Sequence, residues 1–119
     1  MDVVPTIATP DANVMSLPAH VLKPTSLDGQ TETSAPTWTS PDGTVETGVW
    51  ECTAGTFTAT RDGYDEVAII LSGTATVRSD AGETVDLGPG STLVTPASWT
   101  GVWTVHDTIR KVYVIRKLA

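Results

Sequence analysis

The chain has 119 residues, seven of them Lys or Arg and fourteen Asp or Glu, for a net charge of −7 and a sequence pI near 4.5. One domain of this length can bury a core without disulfide staples, and the single cysteine could not form an internal one. An acidic surface repels phosphate backbones and anionic lipid, so nucleic acid and membrane are excluded as expected partners.

The N-terminal sequence MDVVPTIATPDANV has neither a basic leader nor a long apolar core, which leads to the expectation of a soluble, cytoplasmic protein. Residues 1–41 hold six of the eight prolines, and residues 1–44 are read as an arm. Its prolines argue against a long helix and against a central strand. Val14, Leu17, Val21, Leu22 and Leu27 give the arm something to bury, so it is expected to pack on the rest of the chain or on a partner.

From residue 45 to the end, short β-rich runs alternate with turn chemistry, and no segment sustains helical periodicity. The predicted strands are 45–53, 57–60, 66–71, 74–78, 83–87, 92–95, 101–105 and 109–116. Pro41-Asp42-Gly43, Asp62-Gly63, Asp80-Ala81-Gly82 and Gly88-Pro89-Gly90 supply turns, and Ser72-Gly73 ends the third strand. This is an all-β pattern for a small barrel enclosing a pocket.

Alternation across each strand sorts the side chains into two faces. Trp50 and Cys52 point inward if Glu51 points out. Ala75 and Val77, and Val85 with Leu87, are the inward pairs of their strands. Turning Glu66 inward takes Ala68 and Ile70 with it and leaves Val67, Ile69 and Leu71 on an equally apolar outer face. A strand apolar on both faces needs a cover on both, either the arm or a second copy of the chain, and a homodimer is predicted. In the last strand the inward pair is Lys111 and Tyr113 or, alternatively, Val112 and Val114.

The order of short motifs resembles a known family. Trp50, Cys52, Gly55-Thr56-Phe57, Glu66 to Gly73, Gly90, Pro96, Gly101-Val102-Trp103 and Arg110-Lys111-Val112-Tyr113 follow the run seen in small single-domain cupins. Within these the chain is similar to the ureidoglycine aminohydrolase cupin domain and the ethanolamine-utilisation cupin, over residues 45–117. The resemblance implies a cupin-type double-stranded β-helix, a jelly-roll barrel, for residues 45–119. It also favours Lys111 and Tyr113 as site residues.

Metal-binding cupins carry histidines six and four residues before the glutamate and five after the proline. Those places hold Thr60, Asp62 and Gly101 here, which leaves Glu66 and, as a candidate oxygen ligand, Asp62. An ion that prefers imidazole finds little to hold it, so no cofactor is expected, a divalent metal being possible but disfavoured. The expected catalytic set is Glu66, Asp62, Lys111 and Tyr113, and the substrate-binding set is Trp50, Cys52, Ile70 and Trp103.

Plainer readings stand beside these. Glu66 could be solvated or paired with Arg61, Asp62-Gly63 could be a simple turn, and Trp50, Trp99 and Trp103 could be core or rim packing. Cys52 reads as a small buried hydrophobe, and His20 and His106 as surface residues, the latter in a turn. No Ser-His-Asp set, phosphate loop, CxxC or HExxH is present. The function expected is a small-molecule cupin that binds, senses or transforms a compact amino, ureido or carboxylate compound. A metal-dependent hydrolase, lyase or isomerase and a non-catalytic dimeric module are the alternatives, and whether the chain is an enzyme stays open.

Overall fold

The protein is seen in a computed structural model that describes residues 4–118. Eight strands form, β1 (Val21–Leu22), β2 (Thr31–Thr39), β3 (Val45–Cys52), β4 (Gly55–Thr60), β5 (Tyr64–Ser79), β6 (Thr84–Leu87), β7 (Thr92–Thr95) and β8 (Thr100–Lys117). The pairings are all antiparallel, in the order β1-β2-β3-β8-β5-β6, with β4 on β8 and β7 on β5. This is the all-β barrel that the turn spacing predicts, in the jelly-roll form that the family resemblance implies.

Two long strands make the roll. The first half of β5 pairs with the second half of β8, flanked by β7 on one side and by β3 and β2 on the other. Its second half pairs with the first half of β8, flanked by β6 and β4. Strands that switch sheets through bulges form the corners of such packings, and the β5–β8 register shifts between Ile70 and Ala75. Gly73 sits there at φ +81°, and a Cβ on it would meet the Thr108 carbonyl. Ser72-Gly73 therefore bends one strand instead of ending it. The expected pairs 66–71 with 74–78, and 101–105 with 109–116, are single strands, and His106 lies within β8 on the surface, not in a turn.

The core lies between the two halves. Phe57 and Trp103, paired across β4 and β8, stack at 5.7 Å and 17°, and Trp50 meets both edge-on at 5.9 and 6.1 Å. Around them pack Cys52, Ile70, Val77, Leu87, Val105 and Ile109, all buried. Val85 departs from expectation. It shares a face with Leu87, yet β6 is a short edge strand and leaves it 41% exposed.

The segment from Thr31 to Thr39 joins the sheet as β2. Pro36, which lacks an N–H, is tolerated because β1 pairs only with Thr31 and Glu32, so β2 is an edge at Pro36, with a register shift beside it. Ahead of β1 the chain crosses the outer face. Arg110 donates to the carbonyls of Ala12 and Met15 at 2.8 and 3.0 Å, and the Thr33 hydroxyl donates to that of Pro18 at 2.7 Å. That crossing lies over the row Thr33–Glu51–Arg110, which β5 continues at Ser72 beside the half-buried Leu71, while Val67 and Ile69 lie further back along β5.

Candidate functional site

Between the two halves of the roll opens a cavity of about 450 Å³. The aromatic rings do not fill the barrel. Trp50 and Phe57 wall the cavity, while Trp103 lies buried behind them. Alternation of β5 turns Glu66 inward, and alternation of β8 does the same for Lys111 and Tyr113, while Val112 and Val114 face outward and half-buried.

Glu66 is the hub. Its Oε2 accepts from Arg61 Nη2 at 2.7 Å and from Lys111 Nζ at 3.2 Å, and all three side chains are buried. Arg61 follows directly on β4. Its backbone N–H donates to the Trp99 carbonyl at 2.9 Å and its carbonyl accepts from Ser98 at 2.7 Å. The guanidinium Nε donates to Thr95 Oγ1, at 2.9 Å, on the strand beside Glu66. Three anchors therefore fix its fork against one carboxylate.

Lys111 has an unusual setting. Its Nζ lies 4.4 Å from the centre of the Trp50 ring and 4.8 Å from that of Trp103, so the cation rests on two indole faces. Burial pushes its pKa below the ordinary lysine value; the Glu66 carboxylate opposes that shift and the Arg61 cation adds to it. Lys23, from the segment after β1, closes another side. It pairs with Glu32 at 2.9 Å and lies 4.4 Å over Phe57. Glu32 also accepts the Trp50 indole N–H at 2.9 Å. Burial raises the Glu32 pKa, but the hydrogen bonds from Trp50 and Lys23 and the nearby cations outweigh it and leave it lowered.

Glu46 enters from β3 and accepts the Tyr113 hydroxyl at 2.8 Å. Burial first, and then Glu46, raises the Tyr113 pKa, so the phenol stays protonated. Its ring lies across Gly48, the residue opposite it on β3, where any Cβ would collide with the phenol.

Of the eight expected site residues, Glu66, Lys111, Tyr113 and Trp50 line the cavity. The other four do not. Asp62 is exposed, because the chain turns at Gly63, φ +81°, and swings it to solvent. Cys52, Ile70 and Trp103 point inward but lie in the packed core beneath the cavity floor. Burial pushes the Cys52 thiol up to about 11. Sequence reasoning missed Glu46 and Lys23 and gave Arg61 only the part of a plain partner for Glu66. Alternation back from Trp50 would have found Glu46.

Residues 39–113, well over half of the chain, match the family described as the EutQ-like cupin domain. The chain belongs to that family. Among solved structures, this EutQ-like cupin is similar to the EutQ protein of Clostridium difficile, at 24% identity over 81% of this chain and 75% of that one, with a TM-score of 0.68. A putative ethanolamine utilization protein Q from Salmonella typhimurium aligns at 23% identity over 75% of this chain and 72% of that one, TM-score 0.64. Ectoine synthase from P. lautus follows at 20% identity over 79% and 70%, TM-score 0.67. At these identities the likeness shows the fold alone. No curated protein matches the sequence.

The metal that many cupins carry does not fit the donors of this EutQ-like cupin. Of the three histidine positions, Thr60 is a hydroxyl at the cavity rim, Asp62 faces solvent, and Gly101 has no room for a side chain, since its Cβ would strike the Arg78 carbonyl and the Trp99 ring. Glu66 is already held by two cations. No group of three or more His, Cys, Asp or Glu side chains is placed to hold an ion among the described residues.

Proposed function

We propose that this EutQ-like cupin binds a compact polar metabolite in the cavity beside Glu66, without an imidazole-ligated metal. The observation that carries the reading is the Glu66 carboxylate with Arg61 and Lys111 both on its Oε2, at the side of an aromatic-walled cavity of about 450 Å³. One carboxylate against two cations leaves an excess positive charge in a low-dielectric wall, and an anionic group of a ligand is what compensates it. Arg61 supplies a planar fork for a carboxylate, and Lys111, held on two indoles, supplies a point charge. Trp50 and Phe57 cover the carbon skeleton of the ligand. The resemblance to ureidoglycine aminohydrolase cupins supports amino, ureido or carboxylate compounds as the class, and the donor set gives no support to a metal-dependent hydrolase, lyase or isomerase.

The test is a thermal-shift screen of small carboxylates, amines and ureides against wild type, Glu66→Gln and Lys111→Met. At least one anionic metabolite raises the wild-type midpoint; Lys111→Met loses that effect, and Glu66→Gln, which leaves both cations unpaired, enlarges it. Identical responses of all three proteins to every compound would remove the role assigned to this site.

We also propose that the chain acts as a homodimer in the cytoplasm. Support comes from the outer face of β5 and β7, where Ile69 is 40% exposed and Val94 59% exposed beside the half-buried Val67 and Val114, with the N-terminal segment crossing elsewhere. A second copy laid on that face would cover it. Light scattering at micromolar concentration should give twice the chain mass, and a monomer mass would sink the idea.

A further inference from the structure

The charges lining the cavity are unevenly placed. Lys23 is cancelled by Glu32 at 2.9 Å. Arg61 and Lys111 share the single carboxylate of Glu66, so that end carries one positive charge in excess. Glu46 also lines the cavity, yet its partner is the neutral Tyr113 hydroxyl, and no ion pair among the described residues includes it. That end carries one negative charge in excess.

The two ends are well separated. Glu46 and Glu66 share one row of the sheet through Ile115, two strands apart, roughly 10 Å between Cα atoms. Lys111 Nζ leaves the Trp50 ring, 4.4 Å away, to reach Glu66, where Arg61 also binds, so the positive end lies on the β5 side of the cavity and the negative end on the β3 side. Between them runs Tyr113, flat on Gly48. Opposite charges held apart in one partly desolvated space are each costly, and a ligand bearing both complementary groups relieves both.

Resting on the reading of this cavity as a metabolite site, we propose that its ligand is a short ampholyte, an ω-amino or ω-guanidino carboxylate. Its carboxylate meets Arg61 and Lys111, and its cationic end meets Glu46. A simple carboxylate satisfies only one end. An α-amino acid carries its two charges too close together to reach both. Tyr113 holds Glu46 by Oε2, which leaves Oε1 to receive the ligand cation.

The experiment is isothermal titration calorimetry on the full chain with 5-aminopentanoate, pentanoate and pentylamine at one fixed ionic strength. The ampholyte should bind about tenfold or more tighter than pentanoate, the gain expected of one charge-assisted hydrogen bond. Glu46→Gln should erase that margin while leaving pentanoate affinity within about twofold of wild type, and Tyr113→Phe, which keeps the Glu46 charge, should retain the margin. Pentanoate binding as tightly as the ampholyte, or a margin unchanged in Glu46→Gln, overturns the proposal and leaves the anion site standing. Should Glu46→Gln not fold, the wild-type comparison with Tyr113→Phe decides. If neither ω-amino acids of three to six carbons nor any plain carboxylate bind, this proposal and the metabolite site fall together.

Discussion

Lys111 Nζ donates to Glu66 Oε2 at 3.2 Å from a seat on two tryptophan faces, and Glu66 is the only carboxylate that it bonds among the described residues. The pair is lopsided, because Arg61 already neutralises the same oxygen at 2.7 Å. Removing either member therefore has opposite consequences. Glu66→Gln strands two buried cations and should cost about 3–5 kcal/mol in urea unfolding. Lys111→Met removes the excess charge, leaves Arg61 and Glu66 matched, and places an apolar chain against the indoles. Its stability should stay within about 1 kcal/mol of wild type or rise. A strong loss for Lys111→Met would show that the ammonium is needed to hold the fold.

Gly48 and Tyr113 occupy one another's space. A methyl group at Gly48 pushes the phenol off β3 and away from Glu46, so Gly48→Ala should cost about 1–3 kcal/mol through overpacking. Tyr113→Phe in the same background separates the two causes. If the lost hydrogen bond were the whole effect, Gly48→Ala would add nothing to Tyr113→Phe; the steric account expects most of the loss to persist.

Acid should weaken the fold through three carboxylates. Desolvation raises the Glu32 pKa, but its bonds to Trp50 and Lys23 prevail and lower it. Asp42 is brought down to about 2 by Ser40 and Thr44 in the β2–β3 turn, and Asp65 is lowered by the Ala97 N–H and then Arg116. In each the unfolded chain takes up the proton first, so the stabilisation is present above the ordinary values of 4.5 and 3.8 and is lost as pH falls below them. The thermal midpoint should fall steadily from pH 5 to pH 2.5, and Asp42→Asn should flatten that slope at its lower end. An Asp42→Asn profile parallel to wild type would remove the turn from the account.

Cys52 is fully buried, and its thiol is pushed up to about 11 by desolvation. Iodoacetamide at pH 8 should leave it unmodified in the folded chain and react quickly in 6 M urea, as mass spectrometry would show. Rapid labelling of native protein would mean that the floor of the cavity opens.

The architecture was largely legible, since turn residues and alternation locate every strand from β3 to β8. What local sequence could not show was that Ser72-Gly73 bends a strand, because a bulge and a turn use the same residues and only the Thr108 carbonyl decides between them. β2 was hidden by Pro36, whose missing N–H is harmless only on an edge. At the site, Trp50 followed from period-two alternation, while Glu66, on a strand apolar on both faces, and Lys111 with Tyr113 needed the family resemblance to break a tie. Asp62 misled because its spacing matched a ligand position while its neighbour Gly63 turned it to solvent. Lys23 comes from the segment ahead of the barrel motifs, and nothing local announces that a distant lysine folds over Phe57.

Because β5 and β8 each belong to both halves of the roll, neither half owns a complete set of backbone partners. The molecule cannot shed one layer and keep the other. Amide protons near Lys111 and near Trp103, in opposite halves of the same strand, should therefore exchange through one common opening event, and loosening at the Gly73 corner would be felt at the cavity through the backbone itself.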